Sequence, residues 1–371
     1  MAELGFGLMR LPLFDSSDKS TVDSKTTRQM LRQYLESGFR YFDCGYYYHG
    51  GRSESIFGKY VASEYDRDAF VITSKLPVSH LCTQREYYEV FGEQLERCRI
   101  SYFDYYLLHG IGRKIYPKLQ ELKAFEFLQT QKRRGFTRKI GFSFHDHADI
   151  LEMILVEHPE IDAVQLQINF LDWQDYGVQA RKCYEICEKF NKEVLVMEPL
   201  KGGVLAGLPL ELCASYESQT GASLVRDAFR FAASLKNVTY VLSGMSSPEQ
   251  VQENTQMFEG LIPMSPDEKS RLLSFADQIR ERMAFWCTAC HYCVDICPRQ
   301  IAIPDTLALY NSALLFGKKP AMKITFSNLY EGFRSPALCA SCGKCETICP
   351  QHLPIRELLE RTNDLFGFPK V

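Results

Sequence analysis

From Met1 to Gly260 the chain alternates short apolar runs with stretches of helical length, and few folds accommodate that rhythm. The runs are rich in β-branched and aromatic residues. One ends near Met9, and the others lie near 40–44, 70–75, 104–109, 139–143, 163–168, 194–198 and 239–244. Helix candidates follow at about 26–37, 53–64, 84–99, 118–134, 148–157, 177–190, 223–236 and 248–259. A helix between consecutive strands returns the chain so that the strands run parallel, and eight such units close into a (β/α)8 barrel. The expected class is therefore α/β, with a TIM-type barrel over residues 1–262 and a smaller domain over 263–371.

A parallel barrel gathers the C-terminal tips of its strands on one face. The run at Tyr41 ends on Asp43, with Tyr46, Tyr47 and Tyr48 close behind and then a Gly50–Gly51 pair that stops regular structure. The run from Phe70 ends on Lys75, and the run from Asp104 ends on His109. Each residue alone has an ordinary explanation: a loop-capping aspartate, a half-buried aromatic patch, a snorkelling lysine, a loop histidine. As an ordered foursome, Asp43, Tyr48, Lys75 and His109 resemble the catalytic tetrad of the aldo/keto reductases. The resemblance implies an oxidoreductase that interconverts carbonyls and alcohols. Tyr48 would be the general acid, Lys75 its activator, Asp43 the partner of Lys75, and His109 a hydrogen-bond donor to the substrate oxygen. The residue types suit that work. A free tyrosine, with a pKa of about 10, is a reluctant donor, and a neighbouring ammonium favours phenolate and lowers that value.

The same resemblance implies NADP or NAD at the later strand ends. Ser143 would hold the carboxamide, Gln165 and Met197 would lie against the nicotinamide, and Pro199, Leu200 and Gly202 would approach the pyrophosphate. Gly244, Met245 and Ser246, with Gln250, Glu253 and Asn254, would clasp the adenosine phosphate, where a helix starting near Pro248 offers unpaired N–H groups to an anion. Three positions depart from the family pattern. Phe144 stands where asparagine is usual, Met197 where an aromatic often lies under the ring, and Gln250 where NADPH-selective members commonly have arginine. Many members also carry a hairpin that plugs the barrel floor. Here the chain enters its first strand almost at once, so other residues are expected to cover the floor.

Past Gly260 the pattern changes. A helix expected over about 267–284 leads to Cys287, Cys290, Cys293 and Cys297-Pro298, and the same spacing returns at Cys339, Cys342, Cys345 and Cys349-Pro350. This is the run of bacterial ferredoxins, and by that resemblance two [4Fe-4S] clusters are expected. One would take Cys287, Cys290, Cys293 and Cys349, and the other Cys339, Cys342, Cys345 and Cys297. Structural zinc explains neither the third cysteine of each run nor the Cys-Pro endings. The other six of the fourteen cysteines, Cys44, Cys82, Cys98, Cys183, Cys187 and Cys213, are expected as small buried hydrophobes. A helix-like run at Asp305–Phe316 lies between the two cysteine runs.

A net charge of -3 gives no reason to expect nucleic acid. No run reaches the length of a membrane span and no basic region precedes an apolar core at the N-terminus, so a soluble, cytoplasmic protein is expected. The expected partners are a small carbonyl or alcohol substrate and a redox protein. Aromatic residues at Tyr46, Tyr47 and Trp173 suggest a flat or apolar substrate. Hydride carries two electrons and an iron–sulfur cube passes one, and the tetrad contains no group that splits the pair. The alternative reading is thus an electron-transfer protein whose barrel is a binding scaffold or holds a flavin-like mediator.

Overall fold

The computed structural model describes residues 1–15, 18, 20–113, 115–175, 178–281, 287, 292–317, 335–349 and 353–366. Eight parallel strands close a barrel in chain order: β1 (Glu3–Gly7), β2 (Tyr41–Asp43), β3 (Val71–Leu76), β4 (Phe103–Ile111), β5 (Thr137–Phe144), β6 (Ala163–Gln167), β7 (Glu193–Met197) and β8 (Val238–Ser243). Pairing of β1 with β8 completes the circle. Strand side chains alternate between faces, so a one-residue slip would turn every inward group outward. The register observed puts Tyr41 and Asp43, Thr73 and Lys75, Leu107 and His109, and Gly141 and Ser143 at alternate positions of neighbouring strands. Apolar groups fill the middle: Tyr41, Leu107, Ala163, Leu195 and Leu242 belong to one buried cluster.

The floor is covered by the strands themselves. Tyr41 stacks on Tyr240 with ring centroids 4.0 Å apart, and Tyr105 meets the two rings at 6.0 and 6.3 Å. The Tyr105 hydroxyl donates to Glu193 at 2.9 Å, and Lys139 pairs with the same carboxylate. Three rings and an ion pair thus close this end of the barrel.

The helices begin where local chemistry supplies caps. Asp23 accepts from the N–H groups of Lys25 and Thr26 to start α1 (Ser24–Glu36), and Thr83 and Glu86 form a reciprocal capping box before α3 (Gln84–Cys98). Between them α2 (Ser53–Phe57) follows the Tyr48 loop. The single helix expected over 118–134 is two, α4 (Tyr116–Glu121) and α5 (Ala124–Arg133), because Lys123 adopts φ 53°. After α6 (Ala148–Glu157) and α7 (Ala180–Lys189) comes a helix the sequence did not announce, α8 (Leu210–Thr220). Only Leu212 and Tyr216 of it are buried, so its apolar pattern is weak. The barrel helices end with α9 (Leu224–Ala233) and α10 (Pro248–Glu259).

The chain divides into two compact units. The first holds 1–174, 178–206 and 220–269, and the second holds 175–177, 207–219 and 270–371. Within the second, Tyr216 packs on Phe275 at 4.9 Å, the latter in the helix Pro266–Glu281. The expected run at 305–316 lies in the helix Ile303–Phe316, which shares a buried cluster with Phe366 of the helix Ile355–Phe366. Among the scattered cysteines, Cys44, Cys98, Cys183 and Cys187 are buried as expected, whereas Cys213 is half-buried and Cys82 is exposed on the loop that caps α3.

Candidate active site

Lys75, near the end of β3, is fully buried. A buried ammonium needs acceptors for its three N–H bonds. Lys75 Nζ donates to Asp43 Oδ1 at 2.5 Å, to the Cys44 carbonyl at 2.9 Å and to Tyr48 Oη at 3.4 Å. Burial opposes the charge, but Asp43 and the Tyr48 phenol outweigh it, and the lysine stays above its ordinary range. The other oxygen of Asp43 accepts from Gln165 Nε2 at 2.8 Å. The carboxylate therefore binds β2 to both β3 and β6.

Tyr48 lines the cavity at the strand tips. Its oxygen accepts from Lys75, which leaves its single O–H to donate elsewhere. Lys75 does pull the phenol's pKa downward, as the sequence led us to expect. Burial is the larger influence, however, and the net shift is upward, so Tyr48 is a protonated donor at neutral pH. Gly45 makes its position available: a Cβ there would lie 2.8 Å from carbons of the Tyr48 ring. The His109 ring stands edge-on to Tyr48 with centroids 5.9 Å apart. Burial first, and then Lys75, His145 and His80, push His109 down to about 3, so its imidazole is neutral.

A polar network that sequence reasoning missed braces this corner. Glu54 of α2 is fully buried and accepts from Ser74 Oγ at 2.6 Å, from Gln94 Nε2 at 2.5 Å and from Arg97 at 3.4 Å. Gln94 Nε2 also lies 3.1 Å from the Lys75 carbonyl. The only local signal was a glutamate at the start of a helix, which is ordinary.

A cavity of about 510 Å³ opens beside the tetrad. Ser143, Gln165 and Met197 line it, as do Pro199, Leu200 and Gly202 from the loop after β7 and Gly244, Ser246 and Gln250 around the start of α10. Three expected contacts lie elsewhere. Met245 is buried, Glu253 points to solvent, and Asn254 turns inward to donate to Ser243 Oγ at 3.1 Å. Trp173 is also away from the cavity, packed between Tyr184 and Phe231. Phe144 is buried beside Phe142, and His145, the next residue, faces the cavity instead.

Arg10, just beyond β1, was not anticipated. A Cβ on Gly202 would lie 2.9 Å from its guanidinium, and one on Gly244 would lie 2.8 Å from its Cδ, so the two glycines make room for this cation. Glu198 lies 3.8 Å from it. Gly202 and Gly203 have φ of 65° and 94°, which turn this loop into an open backbone cradle. The buried carboxylate of Asp172 holds Lys201, the preceding residue, at 2.5 Å. At α10, Ser247 accepts from the N–H of Gln250 at 3.3 Å. Glycine cradle, guanidinium and helix N-terminus together fit the phosphates of a dinucleotide. The strand-tip rule used for Lys75 and His109 would have found Arg10 had it been applied to the first strand.

In the second unit, the described cysteines Cys287, Cys293, Cys297, Cys339, Cys345 and Cys349 pack with Ile301, Ile355, Leu358 and Leu359. Cys290 lies outside the described residues. Cys297 lines one cavity with Cys339, Cys342 and Cys345, the same four that the ferredoxin resemblance groups. Among the described residues, no three His, Cys, Asp or Glu side chains are placed to hold a single metal ion. Thiols from both cysteine runs meet at this cavity, which is the crossed grouping that the ferredoxin resemblance implies.

Comparison with known proteins agrees with this geometry. Residues 3–275 match the aldo/keto reductase family, and residues 286–355 match a 4Fe-4S dicluster domain. L-Galactose dehydrogenase of Arabidopsis thaliana is 24% identical over 265 residues, 65% of this chain and 80% of that protein. The 9,11-endoperoxide prostaglandin H2 reductase of Trypanosoma cruzi is 26% identical over 209 residues, 56% of this chain and 65% of its own length. Among solved structures, an aldo-keto reductase of Bacillus halodurans superposes with a TM-score of 0.61 at 22% identity, covering 74% of this chain and 91% of that one. An aldo-keto reductase of Klebsiella pneumoniae in complex with NADPH gives a TM-score of 0.57 at 17% identity, covering 72% and 89%. At such identities the structures speak for the fold, and the family match carries the rest: this chain is an oxidoreductase of the aldo/keto reductase family with a 4Fe-4S dicluster domain after its barrel.

Proposed function

We propose that the barrel is an NAD(P)-dependent carbonyl reductase, with Tyr48 as the general acid, and that the second unit carries two [4Fe-4S] clusters for electron transfer or support. The observation that carries the reading is the pairing of Lys75 with Asp43 and Tyr48 beside a cavity that ends in a glycine cradle. A nicotinamide bound in that cavity supplies hydride. Arg10, Gly202, Gly203 and the start of α10 would hold the phosphates, with Ser143 and Gln165 at the carboxamide. As a substrate carbonyl is reduced, its oxygen gains charge and needs a proton. Tyr48 Oη supplies it, Lys75 stabilises the phenolate left behind, and neutral His109 donates an N–H to the same oxygen and fixes its orientation. Gln250 offers no charge to a 2'-phosphate, so a strong preference for NADPH is not expected.

Replacing Tyr48 by Phe keeps the ring and removes the proton. A loss in kcat of about a hundredfold or more is expected, with cofactor affinity retained. Near wild-type turnover by this variant would refute the acid assignment. The second reading, an electron-transfer protein that uses the barrel as a scaffold or holds another mediator, draws on Phe144, whose side chain is buried where the family offers a polar group to the carboxamide. Titration with NADH and NADPH separates the two, because a scaffold protein binds neither.

A further inference from the structure

Tyr48 and Lys75 belong to different elements, and the 3.4 Å between phenol and ammonium is set by whatever joins those elements. On one side is the turn that carries Tyr48. The Tyr48 carbonyl accepts from the N–H groups of Gly51 and Ser53, each at 3.2 Å, and Ser53 opens α2. The next residue is Glu54. On the other side is β3, where Ser74 directly precedes Lys75.

Glu54 joins the two. Its Oε1 accepts from Ser74 Oγ at 2.6 Å and from Gln94 Nε2 at 2.5 Å, and the same amide nitrogen has the Lys75 carbonyl at 3.1 Å. The Tyr106 hydroxyl donates to Gln94 Oε1 at 2.5 Å, which fixes the way that amide faces. Glu54, Ser74, Gln94 and Tyr106 are all fully buried. The other oxygen of Glu54 accepts from Arg97 at 3.4 Å, and that guanidinium lies over the ring of Tyr46, in the Tyr48 loop, at 4.5 Å. Gly58, directly after α2, lets this helix press on the end of α3: a Cβ there would lie 2.2 Å from the Arg97 carbonyl oxygen. The joint has little slack.

A buried carboxyl group of this kind adds little net stability, because its desolvation offsets what its partners supply. What it fixes is position. Resting on the carbonyl-reductase reading, we infer that Glu54 is a positioning residue for proton transfer. It holds the Tyr48 turn against the Lys75 strand, so that the ammonium stays close enough to stabilise the phenolate left when Tyr48 gives up its proton. In the reaction, hydride from the nicotinamide adds to the carbonyl carbon, the Tyr48 proton goes to its oxygen, the nicotinamide is oxidised and solvent returns a proton to Tyr48. Glu54 does not line the cavity and exchanges nothing with the substrate.

The test uses full-length protein handled anaerobically, with NADH or NADPH and with benzaldehyde and cyclohexanone as carbonyls. Glu54→Leu removes the joint, and kcat should fall about tenfold or more while KM and the cofactor Kd change by less than about twofold. Glu54→Gln keeps an acceptor for Ser74 and Gln94 and should recover most of the loss. The discriminating measurement is a cycle with Tyr48→Phe: once the phenol is gone, Glu54→Leu should lower the remaining single-turnover rate by less than about twofold. Asp104→Asn is the control for stability alone, because that buried carboxylate accepts from the Ile72 N–H at 2.9 Å at the opposite end of β3. It should lower Tm and leave kcat within about twofold. Should Glu54→Leu fail to fold, Ser74→Ala breaks the same joint from the Lys75 side, with a loss in kcat of about threefold or more expected. An equal loss from Glu54→Leu with and without the Tyr48 phenol overturns the inference, as does an unchanged kcat or a loss confined to cofactor Kd. Wild-type protein that binds neither NADH nor NADPH, or binds one and reduces neither carbonyl, overturns the reading beneath it instead.

Discussion

At the scale of single residues, the chemistry of this site is set by burial as much as by partners. Lys75 keeps its charge in the interior because each of its N–H bonds has an acceptor, while Tyr48 keeps its proton because burial outweighs the same lysine. The pH dependence follows from the signs. A phenol whose value is raised above about 10 stays protonated through neutrality and loses its acid form only at higher pH. His109, pushed down to about 3, has no charge to lose in that range. Carbonyl reduction should therefore hold level from about pH 5 to 9 and fall on the alkaline side, measured as kcat against pH. An acid limb near pH 6 to 7 would mean that an imidazole titrates in the rate-determining complex. Asp43, Tyr48, Lys75 and His109 were legible beforehand because each sits at or just beyond the end of an apolar run, where a polar group is conspicuous. His145 and Glu54 were not. The first stands two places beyond Ser143, the strand end that drew the eye, and the second acts through Ser74 and Gln94, which are distant in the chain.

At the scale of elements, the loop from β2 to α2 shows how much depends on one missing side chain. Alanine at position 45 would set a methyl 2.8 Å from the Tyr48 ring, and since helix and strand fix the loop at both ends, the ring is the group that gives way. A displacement of about 1 Å at a reacting group can cost on the order of a hundredfold. Gly45→Ala is accordingly expected to lose kcat on that order with the cofactor Kd retained, and full activity would show that the ring yields without cost. The eight strands were readable because β-branched and aromatic runs recur between helices. The breaks were harder: Lys123 divides a continuous helical pattern by taking φ 53°, and α8 buries only two side chains. Local signals decide neither case, since a left-handed lysine and a sparsely buried helix both depend on what packs around them.

At the scale of the whole molecule, two units with separate cores should respond separately to loss of metal. Purified anaerobically, the chain should carry eight iron and eight acid-labile sulfide, and stripping them should loosen the second unit while the barrel melts as before, followed by calorimetry. A single transition that shifts as one would show that the units unfold together. NADH or NADPH alone should leave the cluster absorbance near 400 nm unbleached in anaerobic protein, since the tetrad holds no one-electron carrier; bleaching without an added mediator would contradict this. The cysteine-lined cavity also bears on how the molecule is made. Cys297 belongs to the first run, yet it shares that cavity with Cys339, Cys342 and Cys345 of the second. A ribosome delivers the chain from its N-terminus, so when Cys297 emerges its companions have not been synthesised, and the last helix of the barrel, ending at Glu259, is already out. Maturation of the second unit must thus wait for the second run: a chain stalled between the runs would carry a complete barrel and thiols waiting for partners that never arrive.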